Sequence, residues 1–229
     1  MSRTKNTNES GSKNPATKYL NWKSSAKAFT FWNKQAEKEE VVDPSSLSFV
    51  VLDQLNTVKG FDEKAMSGLW SNEVRSIGKD ELSVRNKDGI VVTGLYKDIK
   101  GKHDGKFTKS VYVLGKIGDG DHELMNLQFS GAALSSWFTF CEATGNVETD
   151  IAISATNVAE GKKGAVTYYY PEFSVVASAI SPATSEKANE ADETLQAYLT
   201  TYFGGGEPET AEPEETAPAE EESWDSAPF

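Results

Sequence analysis

Residues 47–61 read LSFVVLDQLNTVKGF. The stretch is rich in Val, Leu and Phe and follows the turn signal Asp43-Pro44, so it reads as a strand. Comparable runs lie downstream. ELSVRN (81–86) and IVVTGLYKDI (90–99) flank Lys87-Asp88-Gly89, a hairpin turn. FTKSVYVLGKI (107–117) and HELMNLQFSG (122–131) flank Gly118-Asp119-Gly120-Asp121, another turn. DIAISAT (150–156) and AVTYYYPEFSVVASAI (165–180) read as two closing strands around Glu160–Gly164. Upstream, AKAFTFW (26–32) alternates, with Phe29 and Phe31 on one face and Thr30 and Trp32 on the other. AEKEE (36–40) reads as a charged connection.

Two segments break this pattern. AALSSWFTFCEAT (132–144) spaces Leu134, Phe138 and Cys141 at i, i+4, i+7 and predicts a helix. Residues 186–203 predict a second helix, with the stripe Ala188, Ala191, Leu195, Tyr198, Leu199 and Tyr202, Ser185 as N-cap and Gly204 as its stop. Many short strands at turn-rich spacing predict a mainly β fold, a small barrel or a sandwich. One mid-chain helix inserted late among the strands suits an OB-fold-like barrel with added strands and a C-terminal helix.

Charge divides the chain. Of 35 acids, nine lie in residues 204–229 and four in 186–203, leaving 22 acids against 22 bases in residues 1–185. The organisation that follows is a flexible basic arm (1–17), a folded region (18–203) and an acidic Pro/Glu tail (204–229). No apolar run approaches 18 residues, so no membrane span is expected. A lone cysteine, Cys141, excludes an internal disulfide framework and fits a reducing compartment. Two histidines leave little material for a metal site or hydrolytic triad, so neither enzyme, metal nor cofactor is expected. In GDGDHE, Asp119, Asp121 and Glu123 lack the other ligands of a calcium loop and read as a turn.

Aromatics interleave with cations in several places, which is what binding a single strand demands: rings for bases, positive charge for phosphates. The candidates are Trp32 with Lys34; Trp70 with Arg75, to which we add Arg85; and Tyr96, Lys97, Lys100, Lys102, Lys106, Lys109 and Tyr112 around a loop hinged at Gly101 and Gly105. The last group is Lys162-Lys163 with the tyrosines 168–170, from which Lys162, Tyr168 and Tyr170 are taken as site residues, since Tyr169 must point the other way in a strand. For Trp70 the plainer reading is core, and for Trp137 and Phe138 core is the stronger reading.

The chain ends SWDSAPF after Glu220-Glu221-Glu222. Acids followed by a small residue, Pro228 and a terminal Phe229 resemble the C-terminal tip of bacterial and phage single-stranded DNA-binding proteins. The match covers about ten residues and the acidic linker before them; Asp225 stands alone where that family has several Asp, and Trp224 is an added aromatic. The resemblance implies a phage-type protein that protects single-stranded DNA in replication, recombination and repair. It implies that Trp224, Asp225, Pro228 and Phe229 recruit replication or repair proteins, and that the setting is cytoplasmic, in the host if phage-encoded. It leaves a monomer or weak homo-oligomer. The rival is a β-sandwich module for carbohydrate or virion attachment, which leaves the Pro-Phe terminus unexplained.

Overall fold

A computed structural model describes residues 13–177 and 180–204. The strands are β1 (Lys18–Lys23), β2 (Ala28–Asn33), β3 (Lys38–Val42), β4 (Leu47–Asp62), β5 (Ser67–Ser71), β6 (Leu82–Asn86), β7 (Gly89–Gly94), β8 (Lys106–Ile117), β9 (Glu123–Phe129), β10 (Ile153–Lys163) and β11 (Val166–Val175). Three helices interrupt them: α1 (Tyr96–Ile99), α2 (Gly131–Thr144) and α3 (Pro182–Phe203). The fold is mainly β. No helix among the described residues is long and apolar enough to cross a membrane.

The long run 47–61 forms the spine. β4 pairs antiparallel with β8 from Leu47 to Lys59, with β10 at its start and with β5 at its end. The main path of the sheet runs β3-β2-β1-β9-β8-β4-β5-β6-β7, and β10 carries β11. β1 lies parallel to β9, with Leu20 beside Leu127. The ladder is open. Between β11 and β1 there are two bonds to one residue instead: Trp22 Nε1 donates to the Tyr169 carbonyl, and the Tyr169 N–H donates to Ser24 Oγ, each at 2.8 Å.

Alternation along the strands separates two faces. Phe29, Phe49, Val51, Val111, Val113, Met125, Leu127 and Phe129 point one way and form the main core with α2. Trp137 of α2 is its centre, stacked on Phe129 at 5.2 Å and edge-on to Phe173 at 5.0 Å. Its Nε1 donates to Gln54 Oε1 at 3.0 Å, which meets the need of a buried indole. Beneath β5–β7 the same face carries Val58, Leu69, Leu82, Val84 and Ile99. The opposite face receives α3: Leu195, Tyr198 and Leu199 pack on Leu55, Tyr112 and Leu124. A register shift between Val51 and Asp53 turns both Leu52 and Asp53 toward α3.

Several expectations change. The stretch 36–40, read as a charged connection, contributes to an edge strand, Lys38–Val42, in which Lys38 and Glu39 are exposed and Val42 is buried in the main core. Lys18–Lys23 and Ser67–Ser71 are strands too short and mixed to stand out. Tyr96–Ile99 leaves the strand as a helical turn anchored by buried Ile99. Phe138 is exposed, because α2 turns Leu134 and Trp137 inward. α3 begins earlier than Ser185: Ser181 is the N-cap, its Oγ accepting from the Thr184 N–H at 3.1 Å, and Pro182 opens the helix. Gly105 is no hinge; a Cβ there would lie 2.5 Å from Leu69 and Val58 side-chain atoms, so the segment is glycine because β4 and β5 pass so close.

Candidate nucleic-acid interface

Directly opposed residues in a sheet project to the same side. Register therefore groups Lys106 with Lys59, Lys59 with Trp70 and Trp70 with Arg85. The four side chains make one row across β8, β4, β5 and β6, about 14 Å wide at the usual strand spacing. The row lies on the α3 face. Farther along that face come Thr57 and Thr108, then Ser110, Gln128, Asn126, Asn21, Tyr19, Thr30 and Trp32. Lys59 Nζ sits 5.6 Å from the Tyr19 ring centre, a cation–π contact joining β4 to β1.

This face is unusual for being buried and polar at once. Thr30, Thr57, Thr108, Ser110, Asn126 and Gln128 are all buried and all belong to it. Buried polar groups need partners. Asn126 Nδ2 donates to Ser110 Oγ at 2.7 Å, and Ser110 in turn donates to the Glu73 carboxylate. Two buried polar atoms on this face, Trp70 Nε1 and Asn126 Oδ1, have no partner among the described residues.

Glu73 sits where the row meets α3. Tyr112 OH donates to it at 2.7 Å, and its own N–H donates to Tyr202 OH of α3 at 2.6 Å. Burial of the carboxyl group raises its pKa above the ordinary range, against the bonds from Ser110 and Tyr112 and the charge of Lys59, which pull it down. Next to it, Arg75 forms an ion pair with buried Asp53, whose other oxygen accepts from Gln196 Nε2 of α3 at 3.1 Å.

The predicted candidates divide accordingly. Trp70, Arg85 and Lys106 come together in the row. Trp32 shares the face at its far end on β2, and Lys34 lies in the turn beyond. Lys59 and Tyr19 were missed; only pairing partners reveal them. Tyr112 is on the right face but wholly buried, its OH accepting from Asn14 Nδ2 and donating to Glu73, so it offers no ring to a base. Lys109 falls on the core face, where its Nζ donates to Asn56 Oδ1 at 3.2 Å and burial lowers its pKa. Tyr96 packs on Phe107 at 5.6 Å on the core side, so Lys97, Lys100 and Lys102, exposed on α1 and the loop after it, stand apart from the row. Arg75 is beside the row rather than in it.

The β10–β11 ribbon is a separate feature. Tyr168 and Tyr170 lie side by side, ring centres 6.0 Å apart. Tyr168 covers Gly161, where a Cβ would come within 2.3 Å of the ring. Tyr169 faces the other way, under Lys27 Nζ at 3.8 Å. Register puts Lys163 with the Tyr168 pair and Lys162 with Tyr169, so of the two lysines Lys163, not Lys162, shares the side of Tyr168 and Tyr170; Lys162 lies 3.6 Å from Glu160. Trp224, Asp225, Pro228 and Phe229 fall outside the described residues. Among the described residues no group of three or more His, Cys, Asp or Glu side chains is placed to hold a metal ion. Comparison of the chain with protein-family models, with curated proteins and with solved structures finds no match in any of the three.

Proposed function

We propose that this protein binds single-stranded DNA, laying the strand along the α3 face with Lys106, Lys59 and Arg85 on phosphates and Trp70 under a base. The observation that carries the reading is the cross-strand row itself: three cations and an indole brought to one side of four adjacent strands from positions up to 47 residues apart. A row of solvated charges serves solubility equally well when scattered; alignment with an aromatic serves a linear polyanion with flat bases.

The topology supports an OB-type barrel as the framework. β4, β8 and β9 form a meander, α2 follows, and β10–β11 returns to pair with β4. Those five strands would close by bringing β11 to β9. β1 stands between the two, parallel to β9, and reaches β11 through Tyr169. In OB-folds the loop joining the first two strands and the loop joining the last two flank the bound oligonucleotide. Here the first of these is the segment carrying β5, β6 and β7, with Trp70 and Arg85, and the second is the ribbon turn with Lys163 and Tyr168.

The acidic tail and its Pro228-Phe229 end complete the proposal as the part that recruits replication or repair proteins. Titration of the full chain with labelled oligo-dT at two salt concentrations is the test. Affinity that falls steeply with salt is expected, with a slope of about −0.7 per phosphate neutralised. No binding at low salt ends the proposal.

A further inference from the structure

The last residue of α3 stands out from the stripe that docks the helix. Phe203 is 45% exposed, edge-on to Tyr202 with ring centres 5.1 Å apart. The guanidinium of Arg75 lies 5.5 Å from the Phe203 ring centre, and the Arg75 side chain is itself 46% exposed. Both groups are held from behind. Arg75 is fixed by buried Asp53, which also accepts from the Gln54 N–H at 2.7 Å and from Gln196 of α3. Phe203 is fixed by Tyr202, whose hydroxyl takes the Glu73 N–H.

The place is next to the cationic row. Glu73 feels the charge of Lys59, and Tyr202 feels the charge of Arg85, so the end of α3 lies within electrostatic reach of both cations. An exposed ring and a planar cation, each locked in place at the edge of a track of phosphate-binding groups, are suited to one class of ligand. We propose that Phe203 and Arg75 form a stacking platform for an unpaired nucleobase, a second base site beyond Trp70. This rests on the proposed single-strand binding. Stacking depends on a π-face and tolerates any base, so the platform adds affinity without sequence choice.

The test compares the full chain with Phe203→Ala, Phe203→Leu and Phe203→Tyr on a dT oligomer and on an abasic oligomer of equal length, with thermal unfolding run on each. Ala and Leu should weaken dT binding about tenfold with an unchanged salt slope, while Tyr keeps it. On the abasic strand all four proteins should bind alike. Wild-type affinity in the Leu variant means the ring only packs, and overturns the platform. So does an Ala defect of equal size on the abasic strand. Failure of the wild-type protein to bind dT overturns the single-strand reading itself, whereas binding that is indifferent to Phe203→Ala overturns the platform alone.

Discussion

The two faces of the sheet come from alternate residues of the same strands, yet they obey different rules. One face is mostly rings and branched aliphatics closed over by α2, and the Trp137 indole buried in it has its hydrogen bond. The other is hydroxyls, amides and lysines, partly covered by α3, with two buried polar atoms left over. Folding alone accounts for the first. The second costs stability, since buried polar groups with imperfect partners are unfavourable.

The sharpest way to separate the faces is to damage each and ask what fails. Trp137→Ala should lower unfolding free energy by about 3–5 kcal/mol in chemical denaturation, from the cavity and the orphaned Gln54. The double variant Lys59→Ala, Arg85→Ala should leave the unfolding midpoint nearly unmoved but lose about 1.4 from the salt slope of oligonucleotide binding, two phosphates at about 0.7 each. Trp70→Ala should cost about 1–3 kcal/mol of binding with the slope unchanged. If Trp137→Ala instead spares stability, or the lysine variant unfolds, the division between faces is wrong.

Glu73 tests the polar face without ligand. Its pKa is raised in the folded protein, so as pH climbs past 4.5 the unfolded chain ionises first and folding is progressively penalised, until the folded carboxyl also ionises. Glu73→Gln should flatten stability against pH over that window, measured by denaturation at a series of pH values. The smallest effect concerns the ribbon. Lys163→Ala should weaken oligonucleotide binding about twofold to threefold, the scale of one exposed phosphate contact, and Lys162→Ala less. Equal effects would remove Tyr168 and its neighbours from the strand's path.

Much of the fold was legible in the sequence, because Phe29 and Phe31 alternate and Leu195, Tyr198 and Leu199 recur at helical spacing; both patterns are local. The site was legible only in part. Trp70, Arg85 and Lys106 could be picked as residue types, but nothing local says that Lys59 stands between them. That depends on which strands pair and in what register. Tyr112 and Lys109 misled for the same reason: an aromatic and a lysine three residues apart have opposite parity, and burial is decided by α3 and α2, far away in sequence. Tyr96 misled because a run of apolar residues ending at Gly94 hides a change from strand to helix.

The parallel seating of β1 beside β9 has a consequence for how the molecule is made. Thr17 and Leu124, bonded at the start of that junction, are 107 residues apart. During synthesis the first strand emerges long before the one it must lie against, and the hairpin it forms with β2 has to wait with its apolar side uncovered. Such distant pairings make folding slow and leave sticky surface exposed meanwhile. The seating of β1 therefore has to follow the arrival of β9, and a nascent chain stalled before Phe129 has no strand there to cover it.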